Sequence, residues 1–161
     1  MNCWRPDSRI VPERPAALAR SLGVELHRID PGPQGELKLI LASLRQKGVR
    51  AMVSTLWRPE PRSQAERKQE AAVYVAHQIA TLTTQVEDVR DGLLLCFRGD
   101  PPDSRRGMAT ILDRILRGTP VGEIPFELPS KYTLAVNRGT ASALKLAIPP
   151  ELLMRASVVY E

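Results

Sequence analysis

Two short groups of residues carry the side chains with which this 161-residue chain could hold a small polar molecule: Trp4, Arg5, Asp7 and Ser8, and then Ser54, Thr55, Trp57, Arg58 and Glu60. Each group combines a guanidinium, a hydroxyl, a carboxylate and an indole. An arginine and hydroxyls grip a carboxylate, an acidic group takes an amine, and an indole covers a side chain. Residues able to work on a covalent bond are not arranged in this way. His27 falls in a predicted strand and His77 in a predicted helix, without the clustered ligands that a metal needs. No GxSxG, P-loop or GxGxxG spacing occurs. The acidic pairs Glu87–Asp88 and Asp100–Asp103 fall where surface turns are expected, and Glu127 has no basic partner in register. Cys3 and Cys96 supply neither a disulfide framework nor a metal-ligand spacing, and read as a terminal thiol and a buried strand thiol. The chain reads as a binder rather than an enzyme, with no metal and no cofactor.

The two groups matter because of the elements that would carry them. In open parallel sheets, ligands sit where strand carboxyl ends, loops and helix N-termini converge. Residues 51–56 are a short, nearly continuous apolar run of the kind that suits a strand covered on both faces, and the second group begins within its end and continues into the loop after it. Helices are predicted over 16–22 and 36–46, closed by Gly23 and Gly48, with a strand over 24–29. Pro59 and Pro61 then make a rigid loop, Ser63 is a candidate N-cap, and 65–77 has helical length and polarity. Residues 79–82 predict a short strand, 85–90 a helical turn, and 93–97 a buried strand. Strand alternating with helix predicts a parallel sheet.

The last third has its own logic. Ile111, Leu112, Ile115 and Leu116 fall at helical spacing, with arginines and Asp113 on the other face, so 105–117 predicts an amphipathic helix lying on a sheet, capped by Asp103 or Ser104 and stopped by Gly118. Residues 124–128 and 132–136 predict two short strands about a turn at Pro129–Ser130. Thr140 predicts a cap for a helix through Leu144, and Pro150 opens another through Ala156.

The runs RRGMATILDRILRG, IPFELPSKYTLAVN and TASALKLAIPPELL in this segment resemble the C-terminal end of the ABC-transporter substrate-binding protein family associated with tryptophan, tyrosine and other small solutes. The matched residues include Arg105, Arg106, Gly118, Pro125, Glu127, Pro129, Lys131, Asn137, Thr140, Pro149 and Pro150. Upstream, Trp4, Pro6 and Asp7 are similar to the family's aromatic-Asn-Pro-Asp turn, with Arg5 in place of the Asn. The family's acidic residue in the second loop is replaced by Trp57, and Lys145 stands where the family has a glycine, at a position that looks like the left-handed residue closing a helix.

The resemblance implies an α/β fold: a three-layer α/β/α lobe with a mostly parallel sheet of five or six strands, like the second lobe of a periplasmic binding protein. It implies a single domain over 1–161, in which 92–118 is the crossover and helix that return to a first lobe. The implied function is capture of a small organic ligand, such as an amino acid, for ABC import, with a membrane permease as partner. Two alternatives stand beside it: a single-lobe interaction or regulatory module that forms a homodimer, and an inactive truncated remnant.

Composition fits one domain: 43% hydrophobic residues support a core, and 4% aromatics require that it be built from aliphatic side chains. The 14 prolines are too many for a helical bundle. A net charge of +5 with a pI near 9.6 is spread along the chain without interleaved aromatics, so nucleic acid is not the expected partner. The family is exported, which predicts a periplasmic location. The chain as given shows no signal peptide, which predicts the cytoplasm if it is made in this form.

Overall fold

The computed structural model describes residues 13–27, 37–54, 62–125 and 128–161, in two units, Met1–Ile40 and Leu41–Glu161. In the first, helix α1 (Glu13–Ser21) ends as Leu22 N–H and Val24 N–H return to the carbonyls of Leu18 and Ala19. Gly23 takes the left-handed φ of 65° that such an ending needs. Residues 24–27 form no strand, contrary to the sequence expectation for 24–29; a strand needs a partner for its backbone, and none pairs with them among the described residues.

Helix α2 (Leu37–Gln46) buries Leu41 and Leu44. Beyond it the second unit is a five-stranded sheet, ordered β1 (Ala51–Val53), β2 (Ala80–Thr83), β3 (Leu95–Gly99), β4 (Tyr132–Asn137) and β5 (Val158–Tyr160). Only the β3–β4 pair is antiparallel, so the sheet is mostly parallel and flanked by helices, as the alternation of strand and helix requires. β1 is shorter than expected and lies at the sheet edge, with Ala51 and Val53 exposed, so it is not covered on both faces.

Helix α3 (Gln64–Ala76) begins at the predicted cap. Ser63 Oγ accepts from Glu66 N–H, and the Glu66 carboxylate accepts from Ser63 N–H at 2.7 Å. Helix α4 (Val86–Arg90) packs Val89 against Cys96 and Ala135 in the core. A second cluster joins Leu94 to Ala141 and Leu144, with Val75, Ala80, Leu95 and Ile148 packed around it.

The closing third departs from expectation in several places. Helix α5 (Pro101–Leu116) starts four residues before the predicted Arg105, because Asp100 caps it through Asp103 N–H and the two prolines occupy N1 and N2, where a missing N–H costs nothing. It does not lie with its apolar face on the sheet: Met108, Leu112 and Leu116 are 61%, 55% and 77% exposed. The strand predicted over 124–128 is not formed at residues 124, 125 and 128, while 126 and 127 lie outside the described residues. β4 already has β3 on one edge and β5, extended by Ser157 N–H to Leu134 O, on the other, so no edge is left for a hairpin partner.

Helices α6 (Arg138–Ala143) and α7 (Pro150–Arg155) follow, and α6 is capped by Asn137 rather than by Thr140. Asn137 Oδ1 accepts from Thr140 N–H at 2.8 Å while its amide donates to Val89 O at 2.8 Å, and Thr140 Oγ1 donates to Gly92 O. Lys145 closes this helix with φ 56°, the left-handed residue that the missing glycine implied.

Candidate functional site

The carboxyl ends of β1, β2 and β3 point the same way, which makes that rim the place to look. Ser54 leaves β1 there, half-buried, its N–H extending the ladder to Leu82 O at 2.7 Å. It is the single sequence-predicted site residue among those described. Trp4, Arg5, Asp7, Ser8, Thr55, Trp57, Arg58 and Glu60 lie outside the described residues.

The polar groups that the fold gathers at the end of β2 were not singled out by the sequence. Thr83 Oγ1 donates to Asp88 Oδ2 at 3.1 Å and accepts from Gln85 N–H. Asp88, which the sequence placed on a surface turn, is buried and receives both Nη2 contacts of Arg62, at 2.7 and 2.9 Å. Arg62 Nη1 donates to Glu70 at 2.6 Å. Burial works against the Arg62 charge, but the hydrogen bonds and charges of Asp88 and Glu70 outweigh it and raise its pKa.

A second ion pair continues the network. Arg67 Nε donates to Asp91 Oδ2 at 2.6 Å, its Nη1 reaches back to Arg62 O, and Gln64 and Arg90 donate to Asp91 Oδ1. Burial pushes the Asp91 carboxyl up, yet these donors and the Arg67 charge hold it at about 2, below the usual 3.8. These contacts span 24 to 27 residues between α3 or its leading turn and α4, so no local spacing announces them. Every carboxylate in the network is met by an arginine within the chain, and α3 fills its own N-terminus with Glu66. The network fixes α3 to α4 and keeps these groups from a ligand.

Two further arrangements border the rim. Phe97 on β3 and Tyr132 on β4 stack at 5.2 Å with an interplanar angle of 5°, on the face opposite Cys96. Asp103 in the first turn of α5 accepts from Ser130 N–H, Ser130 Oγ and Lys131 N–H, and these bonds hold its carboxyl below the ordinary range. That turn presses Pro129 so close to Gly99 that a Cβ there would lie 2.7 Å from the ring. Burial pushes the Cys96 thiol up, away from the reactive thiolate. His77 Nδ1 lies 2.8 Å from Val73 O at the end of α3, and His27 Nε2 is 3.3 Å from Glu25. No group of three or more His, Cys, Asp or Glu side chains able to hold a metal ion occurs among the described residues.

No protein-family model and no curated protein matches the sequence. Solved structures do. A conserved domain protein from Vibrio cholerae is matched with a TM-score of 0.67 at 15% identity, over 91% of this chain and 48% of that one. The ligand-free, open structure of a substrate binding protein with adhesive properties from Clostridium difficile is matched with a TM-score of 0.64 at 16% identity, over 92% and 48%. The ABC domain in complex with L-Trp from Streptococcus pneumonia is matched with a TM-score of 0.67 at 18% identity, over 91% and 48%. The two neighbours described by a role or ligand are thus described by binding, not by a reaction. The chain spans about half the length of the structures it matches. At these identities the likeness establishes the fold alone: a mostly parallel α/β sheet flanked by helices, shared with about half of each matched structure.

Proposed function

We propose that this chain is the solute-capturing component, or one lobe of the component, of an ABC import system working outside the cytoplasm, with a small amino-acid-like molecule as its ligand and a membrane permease as its partner. The observation that carries the reading is the fold match over more than nine-tenths of the chain to binding proteins of about twice its matched length. The family resemblance of the closing third supports it, as does the rim of parallel strand ends beside Ser54. Assignment to the second lobe, and of 92–118 to the crossover, belongs to the same proposal. The loop residues proposed to touch the ligand are Trp4, Arg5, Asp7, Ser8, Ser54, Thr55, Trp57, Arg58 and Glu60.

Calorimetric titration of the 161-residue chain with the twenty L-amino acids tests the reading. Saturable binding of one or a few, at a dissociation constant of roughly 1 mM or tighter, is the expected outcome. No binding of any of them would sink it.

The bare α5 stripe of Met108, Leu112 and Leu116 favours a second reading, an interaction module that dimerises through an uncovered face. Sedimentation at micromolar concentration decides it: a monomer that stays monomeric as concentration rises removes it.

A further inference from the structure

We propose that Arg98 is the group that recognises a carboxylate on the bound solute, a step that rests on the solute-binding reading above and names the chemistry of its ligand. Arg98 is the fourth residue of β3, near the strand's carboxyl end, opposite Thr133 of β4 and on the face of the sheet that carries Cys96 and Ala135. Its side chain reaches across the turn that follows β2, where Nη1 meets Thr84 O at 3.5 Å, the limit of a hydrogen bond. Its Nε is buried and has no hydrogen-bond partner among the described residues.

That combination is costly unless something else completes it. A buried N–H without an acceptor forfeits the water it gave up, and an unsatisfied group of this kind calls for a structural or functional reason. The contrast within the same unit is direct: Arg62 and Arg67 each hold a carboxylate at 2.6 to 2.7 Å, whereas Arg98 pairs with none among the described residues. Three of the acids near it in space or sequence are committed elsewhere, and Glu87, exposed on α4, makes no ion pair with it. Asp88 is taken by Arg62 and Thr83, Asp100 caps α5, and Asp103 holds the turn at Ser130 and Lys131. The missing acceptor therefore comes from outside the described chain.

A guanidinium that offers Nε–H and a terminal N–H side by side matches the two oxygens of one carboxylate. A phosphate dianion fits less well, since Asp100 and Asp103 follow closely in the chain and no second cation lies beside Arg98 among the described residues. Engaging the ligand swings the side chain away from Thr84 and gives Nε its acceptor, so the bond lost is weak and the bonds gained are charge-assisted.

The test uses the full chain and NMR of arginine side-chain Nε–H groups, with the Arg98 signal identified by its loss in Arg98→Met. That variant keeps an apolar stem and removes the orphaned group, and it is expected to melt no lower than the native chain. L-tryptophan and acetate are expected to shift the Arg98 signal. L-tryptophanamide, which lacks the carboxylate, is expected to leave it unmoved. Arg98→Met is expected to weaken L-tryptophan binding roughly 10- to 100-fold. Amino-acid binding of unchanged strength in Arg98→Met would overturn the role of Arg98 and leave the solute-binding reading intact. A shift with acetate but no binding of any amino acid would uphold the carboxylate site and sink that reading. Inorganic phosphate moving the signal more than acetate, or no carboxylate moving it at all, would overturn the proposal.

Discussion

Helices α3 and α5 are both rich in charge, yet the fold uses them in opposite ways. α3 turns its charges inward: Arg67, with Arg62 just ahead of the helix, meets acids of α4 that are almost fully buried, while Ala71 and Tyr74 enter the core. α5 buries no residue, keeps the Arg117–Asp113 pair on its own surface, and leaves its apolar stripe bare. An ion pair secures tertiary structure only when its partners come from different elements and lose their water together; an i, i+4 pair on an exposed helix contributes a few tenths of a kcal/mol. The first region is closed on itself, and the second is open to a partner.

The largest expected effect is at the closed region. Arg62→Met leaves Asp88 and Glu70 without their shared cation, and urea melts are expected to show a loss of about 3 kcal/mol. A loss under about 1 kcal/mol would mean that the network is no more than surface charge.

Next comes the pH dependence carried by Asp91. Its folded pKa of about 2 lies below the usual 3.8, so the folded state holds the proton less tightly than the unfolded chain. The stabilisation is complete above about pH 4 and is lost as pH falls through the folded value. It amounts to about 2 kcal/mol, at 1.36 kcal/mol per unit. Acid titration of stability should flatten over that window in Asp91→Asn; an unaltered slope would place the acid sensitivity elsewhere.

Smaller again is Lys145→Gly, which removes a side chain from a φ of 56° and is expected to gain about 1 kcal/mol in a thermal melt followed by circular dichroism. No gain would show that the lysine side chain compensates for the backbone strain. Smallest is Leu112→Gln on α5, expected to change stability by under about 0.5 kcal/mol because the side chain is already in water. A cost of several kcal/mol would mean that the stripe is packed in solution, and would erase the contrast between the two helices.

What could be read in the sequence was local. Ser63 as a cap, the short strand after α3 and Pro150 at the start of α7 each depend on neighbours a few residues away, while the left-handed Lys145 followed from the family resemblance. α5 starts before the expected Arg105 because a cap at Asp100 makes Pro101 and Pro102 its first turn, and Asp103, the expected cap, serves the Ser130 turn 27 residues on. The predicted strand over 124–128 failed for want of a free edge, a property of strand order and not of the segment. Asp88 looked exposed beside Glu87 because its partner Arg62 is 26 residues away. Of the candidate site, Ser54 was expected within a strand over 51–56 and instead follows the shorter β1, whereas the unsatisfied Nε of Arg98 had no local signal.

By itself, the sequence determined the alternation of strand and helix, most of the caps and stops, and the resemblance of the closing third, since propensity, capping and hydrophobic period act over a turn or two of chain. The tertiary structure decided which charges are paired, which apolar stripe is left uncovered, and which buried guanidinium N–H lacks an acceptor among the described residues. Those outcomes depend on which side chains lose water together when distant segments meet, and burial of that kind has no one-dimensional signature.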